Sequence, residues 1–206
     1  HNYSNTGSHA ISVTVTNSNG CVDDSVINTI FSVTPALAYP ALTALCESVP
    51  GTVSVATATV TNAVSGTGVY SGPGVDAAGN FSPSAAGAGT HTMTYTFTST
   101  GNCVATRTQT ITVYAKPASS FTFPVAACLP TTGLVQFTYN GSLSAGQTYA
   151  WNFGDPASGA LNTSTLQNPT HNYSNTGNHA ISVTVTNSNG CVDDSVINTI
   201  FSVTPA

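Results

Sequence analysis

Residues 171–206 read HNYSNTGNHAISVTVTNSNGCVDDSVINTIFSVTPA, and residues 1–36 read HNYSNTGSHAISVTVTNSNGCVDDSVINTIFSVTPA. Only Ser8 against Asn178 separates them, at an offset of 170 residues. Within the stretch, Ile181, Val183 and Val185 alternate with Ser182, Thr184 and Thr186. Period-two alternation predicts a half-buried β-strand. Asn189–Gly190 then predicts the turn of a hairpin into Val192–Phe201. The stretch therefore reads as an antiparallel hairpin that occurs twice. Near-identity at such a distance points to a recent or continually homogenised duplication. A period of 170 is too long for a solenoid repeat of about 20–50 residues. It suits a pair of β-sandwich domains.

The same alternation recurs elsewhere. Met93, Tyr95 and Phe97 alternate with threonines, Ile111 and Val113 with Thr110 and Thr112, and Val53–Val55 opens another run. Threonine suits the solvent face because its branched side chain fits the pleat. Turn signals lie between the runs, at Asn19–Gly20, Gly72–Pro73–Gly74, Gly101–Asn102 and Asn140–Gly141. No segment carries a sustained helical period. Many short strands in domains of about 85 residues predict an all-β protein of immunoglobulin-like sandwiches. Pattern breaks at Leu37–Leu45 and Lys116–Pro117 divide the chain into 1–36, 37–116 and 117–206. The first piece is half a domain whose remainder is expected upstream. With no initiator Met before His1, the chain reads as part of something longer.

Composition removes several classes of function. Only 4% of residues are charged, against roughly 25% in ordinary soluble domains. Arg107 and Lys116 are the only Lys or Arg, and the net charge is −5. No basic patch exists to read phosphates, so nucleic acid is excluded as a partner. An anionic membrane surface is excluded on the same ground, and no apolar run approaches the ~20 residues of a spanning helix. Residues 117–206 contain no Lys or Arg, which leaves trypsin-like proteases almost nowhere to cut.

Five cysteines are present: Cys21, Cys46, Cys103, Cys128 and Cys191. The repeat makes Cys21 the equivalent of Cys191. We expect Cys128–Cys191 in the last domain and Cys46–Cys103 in the middle one. Cys21 would then pair with a copy of Cys128 upstream of His1. Each bridge would close a loop of about 60 residues, worth roughly 4 kcal/mol in the chain-entropy description. Such bridges imply an oxidising, extracellular location.

Residues 117–206 resemble the PKD (polycystic kidney disease) family. The resemblance is carried by Trp151, by Phe153–Gly154–Asp155, by Asn168–Pro169–Thr170–His171–Asn172–Tyr173, and by Gly177 before the alternating strand. Pro156 departs from the family pattern, where a second glycine is usual. Residues 1–36 resemble the closing half of the same family. Residues 37–116 are similar to the immunoglobulin-like repeats that accompany PKD domains in surface proteins of the Bacteroidota. The residues concerned are Cys46, Tyr70–Val75, Phe81–Ser82–Pro83, Gly87–His91 and Cys103. An alternating array of both types is similar to the giant gliding-motility adhesins and related type IX-secreted proteins of that phylum. This implies a cell-surface filament supporting adhesion and gliding. Its partners would be neighbouring repeats in the same chain, with an unidentified surface or glycan receptor held by other domains.

Several residues invite a site. Trp151 and Tyr173 read as structural core, with the Tyr173 hydroxyl bonded to backbone. Asp155 reads as a turn-stabilising carboxylate. Calcium is the alternative, drawing on Asp155, Asp193 and Asp194. His171 and His179, repeated as His1 and His9, have no third metal ligand, and His171 reads as a loop anchor. Ser25 and Ser195 stand in Asp-Ser-Val triplets that resemble the Bacteroidota O-glycosylation acceptor. Asp193 and Asp194 are adjacent on a strand, so they face opposite ways and cannot flank one substrate. There is no nucleophile elbow and no phosphate loop. The expectation is a non-catalytic stalk repeat advancing something like 60–90 Å per 170 residues, its joints stiffened by Pro40 and Pro117. The alternatives are a carbohydrate- or protein-binding module and an accessory domain of a secreted hydrolase.

Overall fold

Alternation along the chain becomes alternation of burial. The computed structural model describes residues 7–124, 129 and 132–202. It divides into two units. The first comprises residues 1–43, 52–86 and 90–111, and the second residues 44–51, 87–89 and 112–206. Cys128 lies outside the described residues.

In the second unit, Gly177–Thr186 and Val192–Phe201 form the closing hairpin, in antiparallel register from Gly177 opposite Phe201 to Thr186 opposite Val192. Thr148–Asn152 pairs with the outer side of Gly177–Thr186, and Thr163–Ser164 completes a four-stranded sheet. Two short ladders, Phe121–Thr122 with Thr138–Tyr139 and Leu134–Gln136 with Thr170–Asn172, supply the facing layer. One cluster fills the space between, formed by Phe121, Val135, Phe137, Trp151, Phe153, Tyr173, Ile181, Val183, Val185 and Phe201. Phe121 meets the Trp151 ring edge-on at 5.0 Å. Such aromatic pairs add about 0.5–1.5 kcal/mol beyond the area they bury. Val113–Tyr114 also pairs in parallel with Leu45–Cys46 in this unit.

In the first unit, Gly7–Thr16 and Val22–Phe31 form the leading hairpin, with the same register as the closing one, displaced by one period. Gly66–Ser71 pairs with Gly89–Ser99, which neighbours Val104–Tyr114 in its sheet. Met93, Tyr95 and Phe97 are buried on one face while the intervening threonines are not. Tyr70 stacks between Tyr39, at 5.9 Å, and Tyr95, at 4.8 Å. Helix is confined to Pro83–Ala86 and a 3-10 segment over Pro156–Asn162.

The two hairpins share a sequence but not an environment. Ile181, Val183 and Val185 are each 0% exposed, whereas Ile11, Val13 and Val15 are 43%, 57% and 60% exposed. Burying a Val or Ile side chain is worth about 1.5–3 kcal/mol. Three such side chains forgo several kcal/mol in the leading hairpin, a large part of a domain's stability of about 5–15 kcal/mol.

This contrast predicts unequal mutational effects at equivalent positions. Ile181→Ala should lower the stability of the second unit by about 2–5 kcal/mol. Ile11→Ala should leave that unit unchanged. Denaturant unfolding followed by Trp151 fluorescence measures both, and equal effects would contradict the assignment.

Candidate functional site

The turn after Trp151 is held by a knot of buried polar groups. Trp151 donates its Nε1–H to the Leu166 carbonyl at 2.8 Å. Gly154 takes φ +67°, and a Cβ there would lie 2.6 Å from the Ala180 backbone nitrogen and oxygen, so only glycine fits. Asp155 is 2% exposed. Its Oδ2 lies 3.0 Å from His171 Nε2, and the two side chains are both buried. The Asp155 backbone N–H reaches Asn162 Oδ1 at 2.7 Å. Pro156 opens the 3-10 segment, a first helical position where its fixed φ and missing N–H do no harm. The departure from the family pattern is thus accommodated in the turn.

Tyr173 donates its hydroxyl to the Phe153 carbonyl at 2.8 Å. Its ring packs on His171, His179 and Phe201. Burial first, and the Asp155 charge second, push its hydroxyl pKa well above the ordinary tyrosine value. His179 Nδ1 lies 3.0 Å from the Gly154 carbonyl, which calls for a proton on Nδ1. His171 and His179 thus anchor the Phe153–Asp155 turn from two strands. The sequence motif implied an anchor at His171, but not its partner Asp155, sixteen residues earlier.

The three candidate calcium carboxylates are not brought together. Asp155 faces His171. Asp193 takes Lys116 Nζ at 2.8 Å and the Ser119 hydroxyl at 2.8 Å. Asp194 is exposed on the other face of the same strand. Among the described residues no group of three His, Cys, Asp or Glu is placed to hold a metal. Ser195 lies 2.8 Å from the Ser119 hydroxyl and is half-buried, whereas Ser25 is exposed.

The disulfide differs from the expected pairing. Cys46 bonds Cys191, with their Cα atoms 5.4 Å apart and 145 residues between them. Cys103 is a free thiol, so the expected Cys46–Cys103 bridge does not form, and Cys191 is not available to Cys128. The physical reason is the geometry around the closing hairpin's turn. The strand pair Leu45–Cys46 with Val113–Tyr114 brings Cys46 against Cys191. Asn187 Nδ2 donates to the Ala115 carbonyl at 2.9 Å, and Lys116 and Ser119 hold Asp193. The turn of the hairpin is therefore fastened to residues 46 and 114–119 by one covalent bond and several polar ones. No spacing rule for cysteines signals this contact.

The PKD domain family model matches residues 117–201. Families of this type are typically non-catalytic modules. Among curated proteins nothing matches. Among solved structures, the chain is similar to the PKD1 domain of Vibrio anguillarum Epp, at 23% identity and TM-score 0.35, over 43% of this chain and 96% of that one. It is similar to the PKD1 domain of the Vibrio cholerae metalloprotease PrtV, at 27% identity and TM-score 0.35, over 43% and 99%. It is also similar to a calcium-stabilised adhesin with which an Antarctic bacterium binds ice, at 16% identity and TM-score 0.44, over 97% and 58%. The fold is mostly strand and of PKD and immunoglobulin-like type. No helix among the described residues is long and apolar enough to cross a membrane.

Partial burial alone would raise the Asp193 carboxyl, but the bonds from Lys116 and Ser119 and the Lys116 charge together hold it below its ordinary value. Hydrogen bonding and charge from Asp193 raise Lys116 in turn. A carboxylate with a lowered folded pKa stabilises above its unfolded value of 3.8, and that stabilisation is lost as pH falls through the folded value. Asp193→Asn should therefore lower the unfolding midpoint of the second unit at neutral pH and flatten its decline below about pH 4. Trp151 fluorescence across a pH series reads this out, and superimposable profiles for the two proteins would contradict it.

Proposed function

We propose that the chain is a stalk repeat of an extracellular, tandem-repeat surface adhesin, and that its work is mechanical. The observation that carries this reading is the leading hairpin. Its sequence, strand register and turn match those of the closing hairpin, yet its apolar face is half-exposed. The closing hairpin gains its cover from the Phe121–Tyr173 stretch. A second copy of that stretch, preceding the leading hairpin, would cover Ile11, Val13 and Val15 in the same way. The hairpin is then the shared currency of an array, closing one PKD-like domain in every period of 170 residues.

The domain limits of 1–36, 37–116 and 117–206 belong to this proposal. So do its location at the cell surface and its partners, which are neighbouring repeats and a receptor held by other domains. Near-absence of Lys and Arg suits a filament exposed to proteases. The disulfide and the family match support an oxidising, extracellular setting. Such a stalk would carry a terminal binding domain outward for adhesion or surface gliding. The geometry offers no cluster suited to catalysis among the described residues.

The test is length. Chains with one, two and three periods, made by appending residues 37–206, are compared by small-angle X-ray scattering. The maximum dimension should rise by a constant increment of roughly 60–90 Å per period. Growth that levels off, as for a collapsing globule, would contradict a stalk.

A further inference from the structure

Each 170-residue period carries four cysteines, at the positions of Cys46, Cys103, Cys128 and Cys191, because Cys21 is Cys191 one period earlier. The observed bridge uses Cys46 and Cys191. It also accounts for Cys21. Asn17 Oδ1 accepts from the Asn19 and Cys21 N–H groups at 3.0 Å each, as Asn187 Oδ1 does from Asn189 and Cys191. Cys21 is therefore presented to a Cys46 counterpart in the same turn geometry. Two cysteines per period remain, and within this chain Cys103 is free.

Cys103 ends the turn that follows Gly89–Ser99. Its N–H reaches the Ser99 hydroxyl at 3.0 Å, and the Ser99 N–H reaches its carbonyl at 2.9 Å. The same turn touches the end of the leading hairpin. The Ser32 hydroxyl donates to the Gly101 carbonyl at 3.4 Å, and a Cβ on Gly101 would collide with Ser32 Oγ. Beside this contact lies an open cleft of about 480 Å³, lined by Gly7, Ile30–Val33, Asn62–Val64 and Ser99–Gly101.

The second unit shows what occupies the end of such a hairpin. Ser202, the counterpart of Ser32, accepts the Leu129 N–H at 2.9 Å. Phe123 packs edge-on against Phe201 at 6.2 Å. The stretch that contains Cys128 thus begins and ends against residues 201–202. Carried back one period, that stretch would pass the Ser32–Gly101 contact.

We propose that the cleft receives this stretch from the preceding repeat, and that Cys103 forms a disulfide with the Cys128 counterpart it carries. The inference rests on the tandem-array reading. Its separation matches the observed bridge: Cys103 of the next period lies 145 residues beyond Cys128, as Cys191 lies 145 beyond Cys46. The two thiols lose two protons and two electrons as the S–S bond forms. A disulfide-bearing oxidant accepts them and leaves as two thiols. Every cysteine of an internal period is then paired, and consecutive domains are stapled at both kinds of joint.

The test uses the full chain with residues 37–206 appended after Ala206. Because the two copies give identical peptides, Cys103→Ser is made in the first copy and Cys128→Ser in the second. The chain is oxidised with oxidised glutathione, alkylated and digested with pepsin at acid pH, which suppresses exchange. Mass spectrometry under non-reducing conditions maps the bridges. The two Cys46–Cys191 bridges certify folding. A Cys128–Cys103 cross-link with Cys21 as the one free thiol is the expected result. Three free thiols with both Cys46–Cys191 bridges intact, or Cys128 bonded to Cys21, would overturn it. Either of those outcomes counts against the second staple alone, since the scattering increment tests the array separately.

Discussion

The fold of the second unit depends on a sheet face meeting an aromatic layer. Ile181, Val183 and Val185 point inward from one strand of the closing hairpin, and Trp151, Phe137 and Phe121 meet them. A two-stranded hairpin by itself is marginal in water. Its apolar face must be buried against something, and the layer from Phe121 to Tyr173 does this. The buried Asp155–His171 pair and the Tyr173 and His179 bonds to the Phe153–Gly154 carbonyls fix the turn on which that layer is hung. Burying these polar groups is tolerable because each bond named satisfies a group that would otherwise lack water.

The leading hairpin is a natural control for this argument. It has the same residues and register but not the layer. Its inward face is correspondingly open. The comparison separates what a local sequence dictates from what packing adds. Strand, register and the Asn-capped turn arise locally in both copies. Burial arises only where the partner stretch is present.

Much of this was legible in the sequence, and the exceptions have physical causes. Strands over Met93–Phe97 and Ile181–Val185 follow from a period of two, which constrains the backbone directly. The opposite facing of Asp193 and Asp194 follows from the same rule. The disulfide was not legible. Spacing between cysteines carries no information about a contact 145 residues long, and the repeat identifies Cys21 with Cys191 without naming a partner for either. The His171–Asp155 pair was half visible. The motif marked both residues, but their contact depends on how the Pro156–Asn162 segment turns the chain, and no local pattern encodes that. Calcium was suggested by three carboxylates close in composition but not in space.

The central claim is that one hairpin sequence is stabilised only where a partner stretch covers it. Amide hydrogen exchange on the 206-residue chain tests this directly, because peptides spanning Ser8 and Asn178 differ in mass and report each copy separately. Ile181–Val185 amides should exchange slowly, near the rate set by global unfolding of their unit. Ile11–Val15 amides should exchange faster by orders of magnitude. Equal protection in the two copies would show that the hairpin holds itself together, and the account would fail.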